Sequence, residues 1–329
     1  MKLAPWQAEA FERAIAAHAH GRLGHALLVC GPPGTGKRGL AWALAGALLC
    51  REPTAQGACG RCRACQLFAA GTHADLHRVE FETRDDGRLR TEIIVEQVRR
   101  LAEKLSMTPQ LGGACVAVID PADAMNPATA NALLKTLEEP IAGRYLLLLA
   151  DRPGRLPATV RSRCHRIELR AVPPGQALSW LCERGCEEAT ARQALALAEG
   201  SPGVAVQLME SGALELARST AQDLAALARG SENPARVARA WLEGDVSRRV
   251  ALAAMLVREI GRSRQDRAAT SAIPEVGALA DLTAHVDFPK LAAWFDAANR
   301  CRDLLATPVR AELLLGQLLV GWNEIATAR

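Results

Sequence analysis

Aromatic residues are scarce in this chain, 4% of 329 positions with a single Tyr. Its cores must therefore be filled by Ala, Leu and Val, a composition that favours helices. Lysine is nearly missing too, five residues against 35 arginines, which reflects genome base composition rather than chemistry. Neither sign of charge dominates. The net is +4, so autonomous binding to nucleic acid through phosphate neutralisation is not signalled. No apolar run is long and uninterrupted enough to span a bilayer, so no membrane association is expected. The first residues, Met1 to Glu9, lead straight into an amphipathic helical pattern and carry no secretory signal. A reducing, cytoplasmic setting is expected, in which disulfides are disfavoured. A chain of this length should form two or three domains.

Two single side chains are the most telling lacks. Residues 31–38 read Gly-Pro-Pro-Gly-Thr-Gly-Lys-Arg. The phosphate-binding loop pattern G-x-x-x-x-G-K-[ST] ends on a hydroxyl that ligates Mg²⁺. Here that position is Arg38, a fixed cation that cannot coordinate a metal. The flanks are regular: His25 to Cys30 reads as a buried parallel strand and Gly39 to Cys50 as a helix. Strand, glycine loop and helix together aim backbone N–H groups at an anion. Gly31, Gly34, Gly36 and Lys37 are therefore the candidate phosphate-binding residues of a degenerate loop, with ATP binding left open.

A second buried strand, Cys115 to Asp120, ends on an aspartate placed to hold Mg²⁺. Active enzymes of this kind usually follow it with a glutamate that polarises water. Pro121 stands there and can do neither job. Asp123 lies two residues further on, and its register disfavours it as a substitute base.

Ten cysteines are present, and four fall as Cys50-x8-Cys59-x2-Cys62-x2-Cys65. The stretch around them is too poor in apolar residues to build a core, so a metal is a plausible staple. Four closely spaced thiolates suit tetrahedral Zn²⁺ with no open position, a structural site. Two disulfides, free thiols and an iron–sulfur cluster are the alternatives. His73 is a spare ligand nearby. Cys30, Cys115, Cys164, Cys182, Cys186 and Cys301 sit in apolar or helical surroundings and read as core thiols.

Residues 1–170 alternate strand and helix patterns, as in an α/β layer with a parallel sheet. Ala171 to Gly175 is a breaker cluster and marks a hinge. Three short helical patterns follow to about 208. Residues 209–329 show only helical periodicity, which predicts buried faces carrying Trp241, Leu252, Leu256, Trp294, Leu304 and Leu314.

The run Asn131-Ala-Leu-Leu-Lys-Thr-Leu-Glu-Glu-Pro140, the strand at 145–149 after it, and Ser162-Arg163-Cys164 then make the pattern specific. Together with the loop and the cysteines, in this order, they resemble the clamp-loader branch of the AAA+ family over essentially the whole chain. The resemblance implies an α/β AAA+ P-loop domain at 1–170 with a zinc module at 50–65. It implies a small helical lid at 171–208 and an all-α collar for oligomerisation at 209–329. It implies partners: gamma/tau and delta clamp-loader subunits, and through them the sliding clamp and primed DNA, in a hetero-oligomer that is a component of a polymerase holoenzyme. It makes Arg163 an arginine finger, reaching into the ATP site of a neighbouring subunit. The bland alternative is a surface arginine paired with a carboxylate. Arg161 would point elsewhere if this segment were extended.

Active members place an arginine shortly after the lid's Gly-Ser pair and a polar sensor after the strand at 145–149. This chain has Gly203 at the first and Ala150 with Asp151 at the second. Four nucleotide-handling positions are thus altered, which predicts a subunit without intrinsic ATPase. An active ATPase with an unusual loop and a zinc-containing DNA-binding module are the competing readings.

Overall fold

A computed structural model describes residues 3–265, 274–305 and 307–327. It divides into two compact units, Met1–Val172 and Pro173–Arg329. In the first unit, α1 (Pro5–Ala19) precedes β1 (Ala26–Cys30), α2 (Lys37–Leu49) and α3 (Arg63–Ala69). Next come β2 (Leu76–Val79), α4 (Val95–Ser106), β3 (Cys115–Ile119) and α5 (Pro127–Glu138). The unit closes with β4 (Arg144–Ala150), α6 (Ala158–Arg161) and β5 (His165–Glu168).

The five strands form one parallel sheet in the order β2-β3-β4-β1-β5. Helices cover both faces, so the central strands must be apolar on both sides, which is why they read as continuous hydrophobic runs. Alternate side chains go to opposite cores. Leu27, Val29, Val118, Leu147 and Leu149 pack with α1 and α2. Leu28, Cys30, Ala117, Ile119, Leu146 and Leu148 pack with α4 and α5. The strand order reverses beside β1, whose neighbours are β4 and β5. In such sheets the ligand crevice lies outside the carboxyl ends of the strands at that reversal, which is where the glycine loop begins.

The second unit is all-helical: α7 (Pro174–Cys182), α8 (Glu188–Leu197), α9 (Pro202–Glu210), α10 (Ala213–Ala228) and α11 (Pro234–Leu242). After them come α12 (Val246–Gln265), α13 (Pro274–Leu282), α14 (Phe288–Leu305) and α15 (Ala311–Thr327). Three tryptophans organise its core, each with its indole N–H satisfied. Trp241 donates to Asp223 (2.8 Å), Trp294 to the Leu318 carbonyl (3.0 Å) and Trp322 to the Leu224 carbonyl (2.9 Å). Leu252 and Leu256 are buried as expected. Leu314 is partly buried against this core. Leu304 is not: its side of α14 faces outward and the residue is 43% exposed. Leu197, and with it Leu208, also joins this core. The division of the second unit at residue 208 accordingly stays a proposal. Among the described residues no helix is long and apolar enough to cross a membrane.

Candidate functional site: a glycine loop bridged by internal ion pairs

The loop from Gly31 to Arg38 leaves the end of β1 and enters α2. Gly31 and Gly36 hold it in shape for different reasons. Gly31 has φ +151°, and a Cβ there would run into the Leu169 carbonyl oxygen. Gly36 has φ +85°, in the left-handed region that glycine tolerates, and a Cβ would strike the Gln7 amide. Gly34 turns the loop at φ +70°. The start of α1 grips it from outside. Trp6 donates its indole N–H to the Thr35 carbonyl (2.9 Å) and Gln7 donates to the Gly36 carbonyl (2.5 Å). Gln7 also accepts from the Ala4 N–H at 2.7 Å, so its amide is fixed at both ends. Neither residue carries a sequence signal for this role.

Lys37 is buried, and its ammonium is fully engaged. It donates to the carbonyls of Gly31 (2.8 Å) and Pro32 (2.7 Å) and lies 2.5 Å from an Asp151 carboxylate oxygen. An ammonium has three protons, and three acceptors are in place. The strand register explains the third. Cys30 pairs with Ala150 across β1 and β4, so the next residue, Asp151, leaves the sheet beside the loop. Asp151, standing where active members carry a polar sensor, is thus bonded to the loop's own lysine.

Arg38 follows the same logic with opposite charge. Its Nε donates to Asp120, the aspartate just beyond β3. That hydrogen bond raises the pKa of the guanidinium, with the carboxylates of Glu80 and Asp151 adding smaller electrostatic contributions. The two positions that would share a metal are joined to each other instead. Asp123 is also occupied. It is buried and accepts the Arg152 backbone N–H at 2.7 Å, so it fastens the loop after β4 and is no free base. Pro121 lies between Asp120 and the short helical turn Ala122–Ala124. Gly203 lies in the second unit, in the first turn of α9, where Ser201 caps the Val204 N–H.

Arg163 sits just after α6. Its guanidinium lies 2.8 Å from Glu138, at the end of α5, and also donates to the Thr159 carbonyl (2.9 Å). The side chain remains 38% exposed. The segment before it is helical, not extended, which corrects the premise used for Arg161. Arg161 does point elsewhere: it folds back on the carbonyls of Leu156 and Gly154.

The four cysteines converge, with all four Sγ atoms within 4.8 Å of one another. Cys50 to Cys62 and Cys59 to Cys65 are each 3.9 Å between sulfurs. Thiolates about 2.3 Å from one tetrahedral ion would be about 3.8 Å apart, so the set fits a metal. Backbone N–H groups support the sulfurs: Cys59 donates to the Cys50 sulfur (3.3 Å) and Cys62 to the Cys59 sulfur (3.4 Å). Backbone hydrogen bonds, chiefly from Cys65, hold the Cys62 thiol down at about 6. Burial pushes Cys65 up to about 12. His73 is outside this group. It is buried and its Nδ1 accepts the Asp75 N–H at 3.2 Å. Of the six other cysteines, Cys30, Cys115 and Cys301 are buried, and Cys164, Cys182 and Cys186 are partly so.

A parallel sheet in this order, a glycine loop between β1 and α2 and an aspartate just beyond β3 define an AAA+ P-loop protein. Residues 6–173 match the family model described as DNA polymerase III, delta subunit. The chain is 35% identical over 324 residues to DNA polymerase III subunit delta' of Escherichia coli strain K12, covering 97% of this chain and 95% of that one. It is 39% identical to the subunit delta' of Pseudomonas aeruginosa, over 72% of this chain and 70% of that one. A solved gamma subunit-related protein of Thermotoga maritima aligns at TM-score 0.46 and 18% identity, over 97% of this chain and 99% of that one. The chain belongs to the delta-prime family of DNA polymerase III subunits.

Proposed function

We propose that this chain is a non-hydrolysing clamp-loader subunit that joins gamma/tau-type and delta-type partners and completes a neighbour's ATP site with Arg163. The carrying observation is the pair of bridges in its own loop. Hydrolysis in P-loop enzymes needs a lysine free to meet phosphate, and a hydroxyl and an aspartate free to meet Mg²⁺. Here Lys37 is held by Asp151, and Asp120 by the arginine that replaces the hydroxyl. With Pro121 in place of a water-polarising glutamate, the position that would orient the attacking water carries no carboxylate.

Arg163 carries the positive half of the reading. Its pair with Glu138 is half-exposed, and such a pair is worth at most about 1 kcal/mol. A neighbour's phosphates could draw the guanidinium away at that small cost. A trans arginine stabilises charge on the transferring phosphoryl group, so hydrolysis next door would depend on assembly. The cysteine module would hold Zn²⁺ through Cys50, Cys59, Cys62 and Cys65. The ion would supply cross-linking and no chemistry, since four thiolates leave no open position. Residues 171–208 would form the lid, and 209–329 the collar that packs beside its counterparts. The complex would open the sliding clamp and place it on primed DNA.

Reconstitution tests the reading. With gamma/tau-type and delta-type subunits the chain should co-purify and raise clamp- and DNA-stimulated ATPase. Failure to join those subunits, or an ATPase indifferent to its presence, would count against it.

A further inference from the structure

The loop's two bridges have matching chemistry. In a nucleotide-loaded P-loop, the lysine meets phosphate oxygens, and the next hydroxyl and the strand-end aspartate meet the metal. In this chain a carboxylate lies on the lysine and a guanidinium on the aspartate, each at the corresponding position. We infer that Asp151 and Arg38 are internal surrogates for a nucleotide's phosphate and its metal, which hold the loop in its phosphate-binding shape and exclude nucleotide from it.

Three observations support this. First, the Asp151 backbone position is fixed by the ladder, since Ala150 is paired with Cys30 at the last register of β1 and β4. Second, the lysine's three protons all have acceptors, so an incoming phosphate oxygen would have to displace a carboxylate already in contact with it. Third, the local charge is wrong for a polyanion. Glu80, Asp120 and Asp151 all act electrostatically on Arg38, so an entering polyanion would meet carboxylates here. The loop is also supported without any ligand, through Trp6 and Gln7. Lys37 is then retained as a structural residue, the hub joining two loop carbonyls to β4.

The inference deepens the non-hydrolysing reading and is separable from it. The test is ADP affinity of the full-length chain, measured by calorimetry and by a fluorescent ADP probe. The variants are Asp151→Asn and Asp151→Ser, each alone and with Arg38→Thr. The wild-type chain should show no saturable ADP binding. Freeing Lys37 and removing the carboxylate should improve affinity on the order of tenfold or more. Adding Arg38→Thr should make that binding Mg²⁺-dependent. Lys37→Ala in the Asp151→Asn background should abolish the gain. Circular dichroism checks the fold of each variant, and the serine variant covers the case where asparagine misfolds. Folded Asp151 variants that bind ADP no better than wild type would overturn the inference. So would tight ADP binding by wild type that either change weakens. ATP turnover by the wild-type chain would instead sink the non-hydrolysing reading itself.

Discussion

Replacing Arg163 by alanine separates a trans catalytic role from a local structural one, because the two differ so much in size. Within the chain, the side chain has its ion pair with Glu138 at 2.8 Å and its bond to the Thr159 carbonyl at 2.9 Å. The pair is 38% and 48% exposed, so solvent screening leaves it well under about 1 kcal/mol. The backbone bond adds about 1 kcal/mol net at most. No core volume is lost. Since about 1 kcal/mol shifts the midpoint by roughly 2–4 °C in a domain of this size, the thermal midpoint should fall by only a few degrees. At the neighbour's ATP site, a missing finger costs on the order of 10³-fold. The reconstituted loader should therefore assemble normally by gel filtration and lose much of its clamp- and DNA-stimulated ATPase. On this proposal the loss would be limited, since only the site that Arg163 completes would lose its arginine. Arg163→Lys should rescue only in part, as a point charge lacks the bidentate fork. Glu138→Gln discriminates further: it breaks the same ion pair but leaves Arg163 in place, so ATPase should persist. Wild-type ATPase and clamp loading with Arg163→Ala, or equal losses from Arg163→Ala and Glu138→Gln, would refute the reasoning.

Elemental analysis should find one zinc per chain, lost in Cys62→Ser with faster hydrogen exchange across residues 50–65; an iron–sulfur chromophore would contradict the zinc assignment. A fragment ending at Val172 should fold, because it keeps both faces of the sheet covered, yet fail to join the complex. Ending at residue 208 instead exposes Leu197 and Leu208, so that fragment should aggregate more, as light scattering would report. Burial holds the His73 imidazole below its ordinary pKa, against a smaller opposing pull from Asp75. The unfolded chain then binds that proton first, near pH 6.5, so the stabilising contribution is complete above that pH and declines as pH falls through the lower folded value. Urea midpoints at pH 7.5 and 5.5 should diverge less in His73→Asn than in wild type, and an identical divergence would show that His73 does not contribute.

The strands and the glycine loop were legible because parallel strands covered on both faces must be apolar throughout, and a loop that approaches its ligand with bare backbone must be rich in glycine. The missing hydroxyl at 38 and the missing glutamate at 121 were equally visible. What replaced their partners was not. Asp151 reaches Lys37 only through the β1–β4 register, a pairing of segments more than a hundred residues apart in sequence. Trp6 and Gln7 reach the loop across the fold, and nothing in their own neighbourhood announces it. Arg163 illustrates the reverse. The motif marked it, while the isolated chain gives it a local carboxylate, so its sequence context and its geometry answer different questions. Leu304 was misread because periodicity identifies a helix but not how much of its circumference a neighbour covers.

The central claim is that this loop has the shape of a nucleotide site without its chemistry, and ATP turnover by the purified chain alone tests it most directly. With Mg²⁺ and excess ATP, phosphate release should not exceed that of the Lys37→Ala variant, and Arg38→Thr should not restore it, because Pro121 remains. Steady hydrolysis by the wild-type chain, abolished by Lys37→Ala, would contradict the account.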